Sequence, residues 1–264
     1  MAIKEEKMKA VYGPVPSWRL GRSLGIDGVC RQKKTCSFDC LYCQLGKTVN
    51  KTAKRQALVS EKQIKRELKK EIKKAKADVV TISGTGEPIL NRNLGKIIDS
   101  IREITDLPIA ILTNSSLIYK KGVQKDLKKL DIVIAKLDAP NEKLFREINK
   151  PAKGITFKKV LKGLKEFRKS FKGKFALQMM FIDKNKDYAE ELAKLAKEIK
   201  PDEVQINTPL RPSAEKPLSK KEMKKIKSKF RGLNVRSVYE SERPKVKILS
   251  MHETRIRRGR KIYS

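Results

Sequence analysis

Long apolar segments are missing from this sequence of 264 residues, in which hydrophobic residues make up 39%. No run approaches the roughly 20 apolar residues that a membrane-spanning helix requires. The opening MAIKEEKMKA also lacks the apolar stretch of a secretory signal. We therefore expect a cytoplasmic protein with no membrane association. Aromatic residues are scarce as well, at 6%, so the core must depend mainly on Ile, Leu, Val and Ala.

Acidic residues are in short supply. The chain has 30 aspartates and glutamates against 64 lysines and arginines, which gives a formal net charge of +34. Such an excess repels itself unless a polyanion or salt offsets it. Nucleic acid is the polyanion that this composition favours, because each phosphate that a basic side chain neutralises releases counterions. The alternative is a general enrichment in basic residues without any bound partner.

Histidine and cysteine are rare, with one His and four Cys in the chain. Three of the cysteines stand in CSFDCLYC, at Cys36, Cys40 and Cys43, and Cys30 lies just upstream. Disulfide frameworks belong to small secreted domains, so this close spacing favours metal ligation.

Two kinds of metal site fit these thiols. Zinc would need all four, because His252 is far away in the sequence, and the basic segment after Cys30 does not resemble a zinc knuckle. Cys30 also ends an apolar segment, where a cysteine is more often a small buried hydrophobe. Three thiolates would instead hold three irons of a four-iron cluster and leave the fourth iron open to a ligand. The spacing favours this open cluster.

Strand and helix patterns alternate along the chain, with no repeat or linker to divide it. Six short apolar runs predict strands, at 23–30, 78–83, 108–113, 131–138, 175–182 and 203–207. Helical periodicity fills the intervals, as in SEKQIKRELKKEIKKAKA. Strands that are apolar on both faces indicate a parallel α/β sheet covered by helices. Because a complete barrel needs eight units, a partial barrel and a doubly wound sheet both fit.

Polar clusters follow five of the predicted strands, each at the carboxyl end. They read SGTGEP, TNSS, KLDAP, DKN and NTPLRP in chain order. Ligands bind at this end of the strands in parallel α/β folds. The sequence therefore predicts one large site at that edge. We expect a core domain over 1–215 and a C-terminal extension over 216–264, with a helix at 219–229, a strand at 233–238 and a basic tail.

The cysteine motif matches CxxxCxxC, the signature of the radical S-adenosylmethionine (SAM) superfamily, with the aromatic Tyr42 before the third cysteine. SGTGEP resembles the family's Gly-Gly-Glu-Pro-like turn after the second strand, although Thr85 replaces the more usual glycine. The opening VYGPVPSWRLGRSLGID, LDAPNEKLFREINKP and NTPLRP resemble a largely uncharacterised set of radical SAM proteins that are grouped with the tRNA wyosine-base synthases. The resemblance extends over roughly residues 11–215.

This resemblance implies a partial (βα)6 TIM-like barrel with mainly parallel strands, a [4Fe–4S] cluster and SAM. The implied cluster ligands are Cys36, Cys40 and Cys43. The implied cofactor-binding residues are Tyr42, Thr85, Gly86, Glu87, Asn114 and Asp138. The turn would hold the amino group of SAM, and Asn114 and Asp138 its ribose and carboxylate. As plain sequence, Asn114 and Asp138 are equally suitable as helix caps.

Further cavity candidates come from the same strand ends, namely Lys136, Gln178, Met180, Asn207 and Arg211. Lys136 lies two residues before Asp138 and so faces the same side of its strand. Lys136 would act on substrate or form an interior ion pair with Asp138 or Glu87. The tail KVKILSMHETRIRRGRKIYS predicts either a solvated arm or a contact to RNA.

The resemblance also implies an enzyme of oxidoreductase type, in which an electron from a donor such as ferredoxin or flavodoxin cleaves SAM to a 5′-deoxyadenosyl radical. The charge and the wyosine-synthase resemblance favour modification of a nucleic-acid base, in tRNA above all. The alternatives are a radical SAM enzyme that acts on a peptide, a protein side chain or a small metabolite, and a metal-stabilised nucleic-acid-binding protein without catalysis.

Overall fold

A computed structural model describes residues 8–258. Its framework is one curled eight-stranded sheet, a half-barrel, with the strand order β1-β2-β5-β6-β7-β8-β9-β10. The strands of this sheet are β1 (Val11–Ser17), β2 (Gly21–Asp27), β5 (Val79–Ser83), β6 (Ile109–Thr113), β7 (Ile132–Lys136), β8 (Lys174–Met180), β9 (Glu203–Asn207) and β10 (Val235–Ser237). Two short strands, β3 (Thr35–Cys36) and β4 (Asn50–Lys51), pair separately. All pairs are parallel except β1 with β2, so the fold is the expected α/β half-barrel.

In the described part of the chain, seven helices lie in the connections between parallel strands, and an eighth follows the last strand. They are α1 (Glu61–Glu71), α2 (Leu94–Arg102), α3 (Lys121–Leu127), α4 (Glu142–Asn149), α5 (Phe157–Ser170), α6 (Ala189–Ile199), α7 (Lys220–Lys227) and α8 (Met251–Arg258). Side chains cap several of the helices, as where the Ser60 hydroxyl accepts from the Gln63 backbone N–H. Within residues 8–258, no helix is long and apolar enough to cross a membrane.

Alternation along the strands gives the sheet two different faces. Phe175 of β8 faces the helices, since its ring centroid lies 5.8 Å from that of Phe167 in α5. Gln178, three residues later, projects to the opposite, concave face. Partners in register share a face, so one polar row crosses this concave side: Lys136, Gln178, Gln205 and Arg236. The helix-facing side forms the apolar core, and the concave side is available for chemistry.

The first predicted strand, 23–30, extends too far at its C-terminal end. β2 ends at Asp27, whose carboxylate accepts from the backbone N–H groups of Val29 (3.0 Å) and Cys30 (2.7 Å). Cys30 itself has a φ of 49°, in the left-handed region. The prediction that Cys30 belongs to a strand is therefore wrong, because a side-chain cap turns the chain before it.

Strand β1 was missed by the sequence reasoning. It reads VYGPVPS and pairs antiparallel with β2 at one edge of the sheet. Gly13, Pro14 and Pro16 interrupt the apolar alternation that marks a strand. Proline is tolerated at such an edge because its missing N–H is not needed for a second neighbour.

The C-terminal extension contributes to the same sheet. The predicted helix and strand are present as α7 and β10, and β10 pairs with β9. Residues 251–258 form α8, in which Arg257 is buried, so this part of the tail is not a solvated arm. Residues 259–264 of the basic tail lie outside the described residues. The division of the chain at residue 215 stays a prediction.

Candidate functional site

The cysteine loop, residues 34–46, is fixed first to the turn at residues 84–87. The carbonyl of Thr35 accepts from the Glu87 backbone N–H at 3.1 Å, and Thr35 forms a parallel bridge with Gly86. A Cβ at Gly86 would lie 1.8 Å from that carbonyl oxygen. Glycine is therefore required at position 86 so that the two backbones can meet.

The second attachment of the cysteine loop is the end of α4. Asp39 and Leu41 donate their backbone N–H groups to the carbonyls of Asn149 (2.9 Å) and Ile148 (3.0 Å). The Ser37 carbonyl accepts from the Ala152 N–H at 2.8 Å. The loop has little regular structure of its own, and these backbone bonds hold it over the carboxyl ends of the strands.

Side-chain amides point at two of the three motif thiols. Asn114 Nδ2 lies 3.5 Å from Cys36 Sγ, and Asn149 Nδ2 lies 3.4 Å from Cys40 Sγ. Burial raises the pKa of both thiols, and all four cysteines of the chain are free of disulfides. Donors aimed at sulfur suit thiolates, because a hydrogen bond to the charged form stabilises it.

The donor set fits an iron–sulfur cluster. Among residues 8–258, no three His, Cys, Asp or Glu side chains lie close enough to share one metal ion. A four-iron cluster makes no such demand, because each thiolate binds a different iron. Amide donors next to cysteine sulfur also occur around such clusters, where they tune the reduction potential. Cys36, Cys40 and Cys43 stay the predicted ligands.

Cys30 has different surroundings. Its thiol donates to the Met8 carbonyl at 3.5 Å, and the Arg257 Nη2 lies 3.8 Å from its sulfur. Burial, followed by the charge of Asp27, raises the pKa of Cys30 to about 12. These contacts agree with the prediction that Cys30 is not a cluster ligand.

Glu87 is buried at the centre of the turn. Its carboxylate accepts from the Thr113 hydroxyl (2.7 Å) and from the backbone N–H groups of Asn114 (2.6 Å) and Ile89 (3.2 Å). Burial raises the pKa of Glu87 to about 7, against these three hydrogen bonds, which lower it. Neutral donors make these three hydrogen bonds, and the charge of Lys136 has a smaller effect on the pKa, so a carboxylate in this environment gains from a cationic partner in direct contact.

Thr85 directs its side chain away from the expected ligand. Its hydroxyl lies 3.0 Å from Asp27 Oδ2, and its backbone N–H donates to Asp27 Oδ1 at 3.1 Å. Gly84, with a φ of +121°, packs so closely on Asp27 that a Cβ would lie 2.2 Å from the carboxyl carbon. Only the backbone of Thr85 is left for contact with a cofactor.

Asn114 connects the cysteine loop to the second polar cluster, TNSS. Its Nδ2 donates to Ser37 Oγ at 2.9 Å, and its Oδ1 accepts from the Ser116 N–H at 3.0 Å. The Ser37 and Ser116 hydroxyls are 2.6 Å apart. The next helix, α3, is capped at Lys120, so Asn114 is not the helix cap that its sequence also suggested.

Asp138 lies in a buried hydrogen-bonded group with Tyr42 and Asn149. The Tyr42 hydroxyl donates to Asp138, Asn149 Nδ2 lies 3.0 Å from the same carboxylate, and the Met180 N–H donates to its other oxygen at 2.8 Å. Burial and the charge of Asp138 raise the pKa of Tyr42. Helix α4 is capped by Asn141, so Asp138 is not the helix cap that its sequence also suggested.

Lys136 forms the interior ion pair that the sequence allowed. Its ammonium lies 3.7 Å from Asp138 Oδ2 and donates to the Tyr42 hydroxyl at 2.8 Å. The pairing is with Asp138 and not with Glu87.

The remaining cavity candidates line the same concave face. Gln178 is the in-register neighbour of Lys136, and Asn207 is the in-register neighbour of Met180. Arg211 donates to Gln44 Oε1 at 2.7 Å, directly beside the third motif cysteine. The fold thus brings all the candidates to one end of the half-barrel.

Three residues of this site escaped the sequence reasoning: Asn149, Asp27 and Arg257. The signal for Asn149 was present in LDAPNEKLFREINKP, whose last residues turn back under the cysteine loop. Asp27 lies within the strand predicted at 23–30, where nothing marked its carboxylate as a site residue. Arg257 stood in a basic tail with nothing to mark it.

Comparison with known proteins gives the class. A family model of the radical SAM superfamily matches residues 34–196. A UPF0026 protein of Methanocaldococcus jannaschii is 41% identical over 216 residues, which cover 79% of this chain and 66% of that protein. A Brachyspira hyodysenteriae protein named GTPase Obg is 41% identical over 231 residues, or 85% of this chain, but only 34% of its own length. The chain therefore spans about two thirds of the first of these relatives and one third of the second.

Solved structures give the same fold at low identity. SuiB of Streptococcus suis bound to SAM superposes with a TM-score of 0.63 at 18% identity, covering 83% of this chain and 50% of SuiB. SuiB bound to its precursor peptide SuiA gives a TM-score of 0.64 at 17% identity, with 83% and 49% covered.

The chain belongs to the radical SAM superfamily, whose members are enzymes that use a [4Fe–4S] cluster and SAM. Within that superfamily its sequence relatives include the UPF0026 proteins. The expected superfamily, fold class and pair of cofactors are thereby confirmed, and the grouping with the tRNA wyosine-base synthases stays a prediction.

Proposed function

We propose that this chain binds a [4Fe–4S] cluster through Cys36, Cys40 and Cys43 and binds SAM beside it. The observation that carries this proposal is one hydrogen-bonded network at the strand ends. It joins the cysteine loop to Glu87 through Thr35, to Asn114 through Ser37 and to Asp138 through Tyr42. When bound, the two cofactors would supply a one-electron cleavage of SAM to methionine and, with a hydrogen atom taken from the substrate, 5′-deoxyadenosine, the electron coming from a donor such as a ferredoxin or flavodoxin.

The residues of the chain bind the two cofactors and orient them. We assign Glu87 to the ammonium group of SAM, because it is a buried carboxylate with no cationic partner among its hydrogen bonds. Gly86 leaves room for the backbone, and Asn114 stands between this carboxylate and Cys36. The Asp138 oxygens already accept from Tyr42, Asn149 and Met180, so we assign Asp138 to orienting those groups.

For the substrate we propose a nucleic-acid base in tRNA, because the sequence resembles proteins that are grouped with the tRNA wyosine-base synthases. The net charge of +34 supports a polyanionic partner. With α8 folded onto the sheet, the basic tail contributes less to this argument than its sequence suggested.

A cluster of arginines supports an anionic substrate independently. Burial, followed by the positive charges of Arg211, Arg258 and Arg243, lowers the pKa of Arg19 to about 9. Within the described residues, Arg19 Nε is buried without a hydrogen-bond partner. The Arg19 carbonyl accepts from Arg236 at 3.1 Å, so Arg19 lies beside the concave polar row. Guanidinium groups so placed suit a phosphate, which would relieve their mutual repulsion.

A peptide substrate is the second candidate. SuiB, which shares this fold, has been solved with its precursor peptide. At 17% identity this similarity concerns the fold, and it supports a peptide only by showing that the fold accommodates one.

Anaerobic reconstitution with iron and sulfide, followed by reduction in the presence of SAM, tests the proposed chemistry. We expect about four irons per chain, a visible absorption band that bleaches on reduction, and formation of 5′-deoxyadenosine. A folded, cluster-bearing protein that forms no 5′-deoxyadenosine would contradict the proposal and leave a metal-stabilised binding protein.

Binding to bulk tRNA across a salt series tests the substrate class. Phosphate-driven affinity falls by about 10³-fold or more between 50 and 200 mM salt. The variant Arg19→Met is expected to weaken the binding, and Lys33→Met, an exposed lysine near the start of the cysteine loop, serves as control. Affinity without salt dependence would contradict a phosphate contact and favour the peptide candidate.

A further inference from the structure

Helix α8 buries Arg257 against the end of β2. Arg257 Nε donates to Asp27 Oδ2 at 2.9 Å, and neither side chain is exposed to solvent. Arg257 Nη1 donates to the carbonyl of Glu253 at 2.9 Å and to its carboxylate. Arg257 Nη2 donates to the Lys9 carbonyl at 2.5 Å. The guanidinium therefore joins both ends of the described chain to the sheet.

Asp27 in turn organises the turn at residues 84–87. Its Oδ1 accepts from the backbone N–H groups of Val29, Cys30 and Thr85, and its Oδ2 lies 3.0 Å from the Thr85 hydroxyl. Gly84 packs against the same carboxylate with a positive φ. The conformation of the turn thus depends on one buried acidic side chain.

A carboxylate removed from water needs a compensating charge, and Arg257 Nε is the cationic donor among its hydrogen bonds. Without that charge, the burial of Asp27 would become unfavourable, and the bonds from Asp27 to Thr85 would weaken with it. The path from helix to turn is short: Arg257, Asp27, Thr85, and then Glu87 two residues on. Each of the contacts between these residues is buried.

We propose that Arg257 is a positioning residue that holds the turn at 84–87, through Asp27, in the conformation that receives the amino-acid part of SAM. The C-terminal helix is then a component of the cofactor site and not an appendage. This inference rests on the proposed function in so far as the ligand is SAM, and the effect on the turn is measurable without any ligand.

The variants are Arg257→Met, Arg257→Lys and the control Arg255→Met, which removes an exposed arginine from the same helix. Hydrogen–deuterium exchange of the full chain, without cluster, is measured for the peptides that contain residues 27–31 and 83–88. We expect Arg257→Met to exchange faster than the wild type in both peptides. Arg255→Met should exchange at the wild-type rate in both. Lysine keeps the charge but not the planar fork, so Arg257→Lys should lie between the two.

SAM affinity of the reconstituted protein is the second measurement. We expect Arg257→Met to weaken SAM binding by roughly tenfold or more, as outer-shell changes do. Iron content per chain should stay that of the wild type, since none of the three assigned ligands contacts Arg257 in the described structure.

The outcomes separate the two proposals. Wild-type protein that binds no SAM contradicts the proposed function, while the exchange data still test the coupling. Unchanged exchange at 83–88 in Arg257→Met overturns the coupling, whether or not SAM binds. If Arg257→Met fails to fold, Arg257→Lys decides: exchange at 83–88 equal to that of Arg255→Met overturns the inference, and faster exchange supports it.

Discussion

The helix-facing side of the sheet and its carboxyl-end edge are held in shape by different forces. On the first, Phe167 of α5 stacks on Phe171 at 4.9 Å and meets Phe175 edge-on at 5.8 Å, all within one apolar core. On the second, residues 34–46 have almost no regular structure and are held by hydrogen bonds to two other segments. Apolar packing is non-directional and tolerant, whereas the edge depends on individual donors and acceptors. Substitutions at the edge should therefore change ligand binding, and substitutions in the core should change stability.

The largest effect is expected from the motif cysteines. Replacing Cys36, Cys40 or Cys43 with Ser should abolish the cluster, because a cubane held by two thiolates is easily lost. Cys30→Ala should keep it, since the contacts of Cys30 are to Met8 and Arg257. Iron and sulfide content after reconstitution measures this. Loss of the cluster in Cys30→Ala would show that our three-ligand assignment is wrong.

A substitution in the apolar core should lower stability and leave cluster binding unchanged. Phe167 is fully buried, so Phe167→Ala should lower the free energy of unfolding by about 3–5 kcal/mol, as aromatic truncations do. Urea denaturation measures the loss. The remaining folded protein should take up iron as the wild type does. If folded Phe167→Ala protein loses iron as the cysteine variants do, the proposed difference between the core and the edge is wrong.

Glu87 offers a pH test of the edge. With a pKa of about 7, its side chain is protonated at pH 6 and ionised at pH 8. Only the ionised form attracts an ammonium group, so SAM affinity should rise as the pH increases through 7. Glu87→Gln should bind SAM about tenfold more weakly at pH 8, the value of one ion pair of roughly 1.4 kcal/mol, and should lose most of the pH dependence. Isothermal titration at several pH values measures both, with the exposed Glu103→Gln as control.

The raised pKa of Glu87 also predicts that the stability of the folded chain depends on pH. The pKa of Glu87 in the folded chain lies above its ordinary value of 4.5, so the folded state holds this proton more tightly than the unfolded state. Its contribution to stability is therefore present below pH 4.5 and is lost as the pH rises to 7. The stability of the wild type relative to Glu87→Gln should fall across this window in urea titrations. A constant difference would mean that Glu87 titrates normally.

The smallest effect is expected on the outer helices. Lys165 of α5 and Glu198 of α6 form an ion pair at 2.5 Å with 37% and 54% of their side chains exposed. Such surface pairs contribute less than about 1 kcal/mol, and salt screens them. Lys165→Met should change the urea midpoint only slightly, and less still in high salt. A loss of stability comparable to that of Phe167→Ala would mean that ion pairs are a main source of stability in the helical layer.

The alternating pattern predicted most of the framework. Strand β9 was predicted with its observed bounds, and the other six predicted strands match within three residues at either end. Strand β1 was missed because prolines hide an edge strand, and α8 was missed because half of its residues are charged. Helix α8 is held by contacts that are distant in the chain, such as Arg257 with Asp27.

The sequence by itself determined the class of chemistry. Three thiols at fixed short spacing, with glycines and a carboxylate after a later strand, specify a cluster loop and its turn, because both are local. Only the tertiary structure decided which polar groups serve them. Asn149 reaches Cys40 across 109 positions, and Arg257 reaches Asp27 across 230. Contacts over such separations leave no local signal in composition or periodicity, because they arise only when the curled sheet brings its strand ends together.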